Sequence, residues 1–171
     1  MGVNSNIQQS PLAGAFGSES GVVFTSSVNG RSCRIGDVLP GGWVVGPVSP
    51  DTGIVMFIEP VAGALEDYRT WTWFEGENHG AKLRREGNLN ARQPSDKELS
   101  AIYKDIVKAG RNENAQYRVD RYGRYWSSTP GFHSNSARMR FFVDGIGYWN
   151  FKGGENGLVR CVCDEPGLKL A

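Results

Sequence analysis

The sequence predicts an α+β fold in which short antiparallel strands and long loops surround one main helix. Three observations carry that expectation. A single amphipathic stripe covers about residues 95–109. A series of short apolar or alternating runs is bounded by Gly, Pro and Asn turns, the pattern of short strands. Glycine supplies 23 of 171 residues, roughly 13% against a typical share of about 7%, which implies many turns. The glycines follow no three-residue period, so the excess is not collagen-like.

Residues 1–30 are rich in Gly, Ser, Asn and Gln and read as an extended N-terminal arm, with residues 31–171 as the folded domain. Pro40-Gly41-Gly42 forms a turn before the β-branched run at Trp43-Val44-Val45, and Val48 to Gly53 forms a second turn before Ile54–Ile58. These two runs predict a hairpin. Tyr68 to Phe74 alternates, with Trp71 and Trp73 on one face, and predicts a strand or extended loop. Pro94, Ser95 and Glu98 then spell a helix start. Ser95-x-x-Glu98 is a capping box in which each side chain satisfies a free backbone N–H of the first turn. Leu99, Ile102, Tyr103, Ile106 and Val107 recur at helical spacing, and Gly110 is the stop.

Tyr125 to Thr129 reads as a strand, followed by a polar turn at residues 130–136. Ala137, Met139, Phe141 and Val143 alternate with Arg138, Arg140, Phe142 and Asp144, which predicts another strand. Asp144-Gly145 signals a hairpin, with Tyr148 to Phe151 as its return. Residues 152–157 are a turn, and Leu158 to Cys163 is the last strand.

Charge narrows the partners. Residues 1–81 carry three arginines against eight acids, a net of −5, whereas residues 82–124 carry eleven bases against six acids, a net of +5. The bases of that middle segment are interspersed with acids, as on a solvated surface, so no nucleic-acid partner is expected. No apolar run approaches the ~18 residues of a membrane span, and no membrane insertion is expected. Met1 to Asn6 shows neither a basic start nor an apolar stretch, so no signal peptide is expected. Asn6 stands where a myristoylation signal prefers Ser or Thr. Three cysteines, Cys33, Cys161 and Cys163, exclude a complete disulfide framework within one chain. A single Cys33 bridge stays open beside the expectation of buried thiols.

The motifs of common catalytic sites are missing. Gly17-Ser18-Glu19-Ser20-Gly21 places Glu where a hydrolase elbow needs its nucleophile. His79 and His133 are isolated in polar loops, away from the clusters a transition metal needs, so no metal and no cofactor are expected. Gly145-Ile146-Gly147 fails the dinucleotide pattern, and Glu66-Asp67 reads as a solvated acidic pair. The aromatic residues are more informative. Trp43 and Trp126 are expected in the core. Tyr148 and Trp149 stand beside a turn, where core packing and sugar stacking are both open. Arg138 and Arg140 share a strand face that would suit a carboxylate or anionic sugar, or simply solvent. The candidate ligand-binding set is His133, Asn135, Arg138, Arg140, Tyr148, Trp149 and Lys152.

Four landmarks carry a family resemblance: Ile35-Gly36-Asp37-Val38-Leu39-Pro40-Gly41-Gly42, Gln93-Pro94-Ser95-Asp96-Lys97-Glu98-Leu99, Tyr125-Trp126-Ser127-Ser128-Thr129 and Leu158-Val159-Arg160-Cys161-Val162. In order and spacing they resemble the bacterial and phage family called domain of unknown function 1566, over about residues 34–163. That family is similar to the C-type-lectin-like fold of sulfatase-modifying factors and of variable receptor-binding proteins of phages. Gln93 departs from the usual Leu before Pro94. The calcium-binding triplets of sugar-binding C-type lectins are absent, because Glu59-Pro60 is followed by Val61, Gln93-Pro94 by Ser95, and Trp149-Asn150 by Phe151. The paired active-site cysteines of formylglycine-generating enzymes are not reproduced either.

The resemblance implies a non-enzymatic recognition or attachment module displayed on a surface, and a stand-alone domain with a polar N-terminal arm and no visible signal peptide favours a virion, as a fibre, spike or capsid decoration. It would bind a host surface glycan or protein and dock on virion proteins through residues 1–30, alone or as a homo-oligomer. The alternatives are a purely structural decoration or joining protein, an extracellular or cell-surface location and, third, an enzyme of the sulfatase-modifying type.

Overall fold

A computed structural model describes residues 23–28, 31–60, 70–110, 122–154 and 157–167. The elements in chain order are β1 (Val23–Val28), β2 (Arg31–Arg34), β3 (Val44–Val48), β4 (Val55–Ile58), α1 (Trp73–Arg85), α2 (Asp96–Ile102), β5 (Arg124–Pro130), β6 (Ser136–Phe141), β7 (Gly147–Phe151) and β8 (Val162–Cys163). The strands form a β1-β2 pair and two three-stranded sheets, β3-β4-β8 and β5-β6-β7, and every pairing within them is antiparallel. The fold is therefore α+β. Residues 1–22 of the expected arm, Glu66-Asp67 and Tyr68-Arg69 lie outside the described residues, and Val23–Val28 pairs with Arg31–Arg34.

The β3-β4-β8 sheet lies between two apolar clusters. Val45, Phe57 and Cys163 point to one side and pack with Leu83 of α1 and with Trp126, Met139 and Cys161. Val44, Met56, Ile58 and Val162 point to the other side and pack with Leu99, Ile102, Ile106, Tyr125 and Phe142. A strand buried on both faces needs apolar residues at consecutive positions, which is why Val44-Val45 and Met56-Phe57-Ile58 do not alternate with polar residues. Residues 157–163 join the two larger sheets. Leu158 exchanges backbone hydrogen bonds with β5, and Cys163 and Val162 then pair with Phe57 and Ile58 of β4. The expected last strand over Leu158–Cys163 thus crosses between sheets, and only its last two residues belong to a strand.

The Ser95 capping box forms as the spacing predicts. Glu98 N donates to Ser95 Oγ at 3.1 Å, and Ser95 N donates to Glu98 Oε2 at 2.8 Å. Leu99, Ile102 and Ile106 are buried. The helix does not run to 109 as an α-helix, however. It widens to a π-helical stretch over Tyr103–Lys108, and Gly110 follows with φ of 70°.

The expected strand or extended loop at Tyr68–Phe74 is corrected at its end, where Trp73 and Phe74 begin a helix. Trp71 makes a single bridge to Gly157, and the chain is helical from Trp73 onward. A second capping box decides this. Thr72 Oγ1 accepts from Glu75 N at 3.2 Å, and Thr72 N donates to Glu75 Oε2 at 2.8 Å. The buried residues of α1 are Gly76, Gly80 and Leu83. A Cβ at Gly76 would lie 2.6 Å from Gln93 Cδ, so the glycine lets residue 93 lie directly against the helix.

Candidate functional site

The β5-β6-β7 sheet presents one face to the core and one outward. Its register pairs Ser136 with Phe151, Arg138 with Trp149 and Arg140 with Gly147, and directly opposed residues share a face. The intervening pairs, Ala137 with Asn150 and Met139 with Tyr148, take the other face, where Ala137, Met139 and the neighbouring Trp126 are fully buried.

On the outer face the side chains form a connected strip. Phe132 meets Trp149 edge-on at 5.3 Å between ring centroids, and the Arg138 guanidinium stacks on Trp149 at 4.8 Å. Arg138 Nε lies 2.9 Å from Asp96 Oδ2, and Arg140 reaches both oxygens of Asp96 at 2.8 and 3.1 Å. Arg140 also donates to the carbonyl of Gly145. Asp96 is placed at the first turn of α2 by the Ser95 cap, so the helix start that the sequence announces also orients both arginines. Gly147 makes room for this strip, because a Cβ there would approach Arg138 Nε to 2.9 Å. Phe132 is 85% exposed, Phe151 56% and Trp149 38%, so aromatic surface stays open to solvent beside the ordered cations.

The expected set divides. Arg138, Arg140 and Trp149 come together. His133 and Asn135 lie exposed in the turn that carries Phe132. The Asn135 carbonyl accepts from Lys152 N at 2.8 Å and ties that turn to the end of β7. Tyr148 faces inward against the core cluster, and burial pushes its phenol pKa up. Lys152 sits over Trp73 of α1, 4.2 Å from the ring centroid. Phe132, Phe151 and Asp96 complete the strip. Phe151 carried a signal, since it stands two residues from Trp149 on one strand, and Phe132 is the one aromatic in a polar turn.

A second cluster corrects the reading of His79 as isolated in a loop. His79 lies on α1, and its Nε2 is 2.5 Å from Glu59 Oε1. Cys161 joins them, with one donor atom from each of the three residues within 4.8 Å of the others. The hydrogen bond to the Glu59 carboxylate raises the His79 pKa above its ordinary value. Burial pushes the thiol of Cys161 well up and that of Cys163 to about 12. Cys161 and Cys163 are free thiols, and all three cysteines are buried.

A third network braces the fold. Glu98 Oε1 accepts from Ser49 Oγ and from Arg92, each at 2.6 Å, and Arg92 also reaches Asp164 at 3.0 Å. Burial opposes the Arg92 charge, but the two carboxylates outweigh it and raise its pKa.

No protein-family model matches the chain, and no curated protein matches it. Among the described residues, no helix is long and apolar enough to cross a membrane.

Proposed function

We propose that this chain is a non-enzymatic, glycan-binding recognition module of C-type-lectin-like fold. Its ligand surface is the outer face of the β5-β6-β7 sheet, and by the family resemblance it is displayed on a surface, which we read as that of a virion, as a fibre, spike or capsid decoration. The observation that carries the reading is the exposed Phe132–Trp149–Arg138 stack with Phe151 beside it on the same face. Aromatic faces stack on the apolar faces of sugar rings, and arginines bonded to a carboxylate stay ordered enough to contact hydroxyl or carboxylate groups. Two arginines share one aspartate in this strip, so one positive charge remains, which suits an acidic sugar. The cysteines support a role without catalysis. A buried thiol with a raised pKa carries little thiolate and is a poor nucleophile. The small antiparallel sheets, two helices and long connections are compatible with the lectin-like arrangement.

The test is binding of the full chain to a panel of neutral and acidic bacterial surface glycans, with and without added calcium. The expected result is binding that calcium leaves unchanged and that favours acidic sugars. A folded protein that binds no glycan would overturn the reading in favour of a structural decoration protein.

A further inference from the structure

Glu59, His79 and Cys161 come from three distant parts of the chain: the residue after β4, the second turn of α1, and the residue before β8. Backbone contacts hold two of them in register. Glu59 N donates to Cys161 O at 3.0 Å, and Cys161 N donates to Glu59 Oε2 at 3.1 Å. The carboxylate is therefore fixed beside the thiol-bearing residue, and the helix delivers the imidazole to its other oxygen. The side chain of His79 is 21% exposed and that of Glu59 only 4%, so the cluster opens to solvent on the histidine side. The Trp71 ring lies 6.3 Å from the imidazole centroid, tilted by 35° to it.

We propose that Glu59, His79 Nε2 and Cys161 Sγ bind one divalent ion of the zinc class, with water as the fourth ligand on the solvent side. Carboxylate, imidazole and thiolate are the donors zinc takes. With bonds of about 2.0–2.3 Å, tetrahedral ligand atoms lie roughly 3.3–3.6 Å apart. The Glu59–His79 hydrogen bond must then open by about 1 Å, which rotation of the partly exposed histidine supplies. The charge also balances. A dication with one carboxylate, one thiolate and a neutral imidazole is neutral overall, the cheapest state for a buried charged group. The thiol gives its proton to solvent as the S–metal bond forms, as does the imidazole where it is protonated. The bound ion staples α1 to β4 and β8.

The experiment titrates metal-free, reduced, full-length protein with Co²⁺ alone. A thiolate-to-cobalt charge-transfer band should saturate at about one equivalent and vanish on adding Zn²⁺, and Zn²⁺ should raise the unfolding temperature. His79→Gln, assayed under conditions where circular dichroism shows it folded, should weaken cobalt binding roughly tenfold or more and lose the zinc-dependent temperature shift. Cys161→Ser should abolish the band. A folded wild-type protein without the band overturns the proposal. So does a band of unchanged affinity in His79→Gln, because the ion would then sit on thiols elsewhere.

Discussion

The two faces of the β5-β6-β7 sheet use the same strands and similar residue types to opposite ends. Trp126 on the inner face is fully buried, and its indole N–H donates to Trp71 O at 2.7 Å. Trp149 on the outer face is 38% exposed and stacks on an arginine that a helix start holds in place. The inner face removes apolar area from water and so contributes stability. The outer face leaves aromatic area in water, where it contributes little to folding and stays available to a partner. A tryptophan's role here is set by what lies over it.

The contrast can be broken in order of effect. Trp126→Ala should cost about 3–5 kcal/mol in chemical denaturation, through lost burial and the cavity left behind. A loss under about 1 kcal/mol would mean that the inner face is not the core. Asp96→Ala should cost about 1–3 kcal/mol, because it strands two partly buried arginines and removes an acid from a helix N-terminus. It should also weaken glycan binding by releasing Arg138 and Arg140, and unchanged binding would show that the arginines need no positioning.

The smallest effect concerns α1, which helps cover the inner face and is tethered by His79 to Glu59. The folded pKa of His79 is raised above 6.5, so its contribution is fully present below that value. It is lost as pH rises through the higher folded pKa. In metal-free protein, His79→Gln should therefore destabilise more at about pH 5.5 than at about pH 8.5, in line with that linkage. Equal destabilisation at both values would show that the pair adds no pH-dependent stability.

What the sequence made legible follows from how local each signal is. Ser95, Glu98 and the Leu99–Ile106 stripe define α2 and the π-helical stretch that continues it, because large apolar side chains mark their buried face. The other helix, α1, hides its buried face in Gly76 and Gly80, which have no side chain to register as apolar. The Trp71-Thr72-Trp73 alternation reads as extended chain, and the signal beside it that marks the helix start is Thr72-x-x-Glu75, the same cap chemistry as in α2. In the candidate site, Arg138 and Arg140 were placed correctly on one face by period-2 alternation. That same rule puts Tyr148 and Trp149 on opposite faces, so they do not form one surface. Asp96 and the Glu59–His79–Cys161 cluster depend on contacts across 44, 20 and 102 residues of chain, which no local pattern encodes.

The most direct measurement is Trp149→Ala, assayed in parallel for thermal unfolding and for glycan binding. Stability should change by no more than about 1 kcal/mol, the scale of an exposed cation–π contact, while glycan binding falls by tenfold or more. A folded variant that binds as well as the parent, or one that unfolds outright, would contradict the assignment of the outer face as a recognition surface.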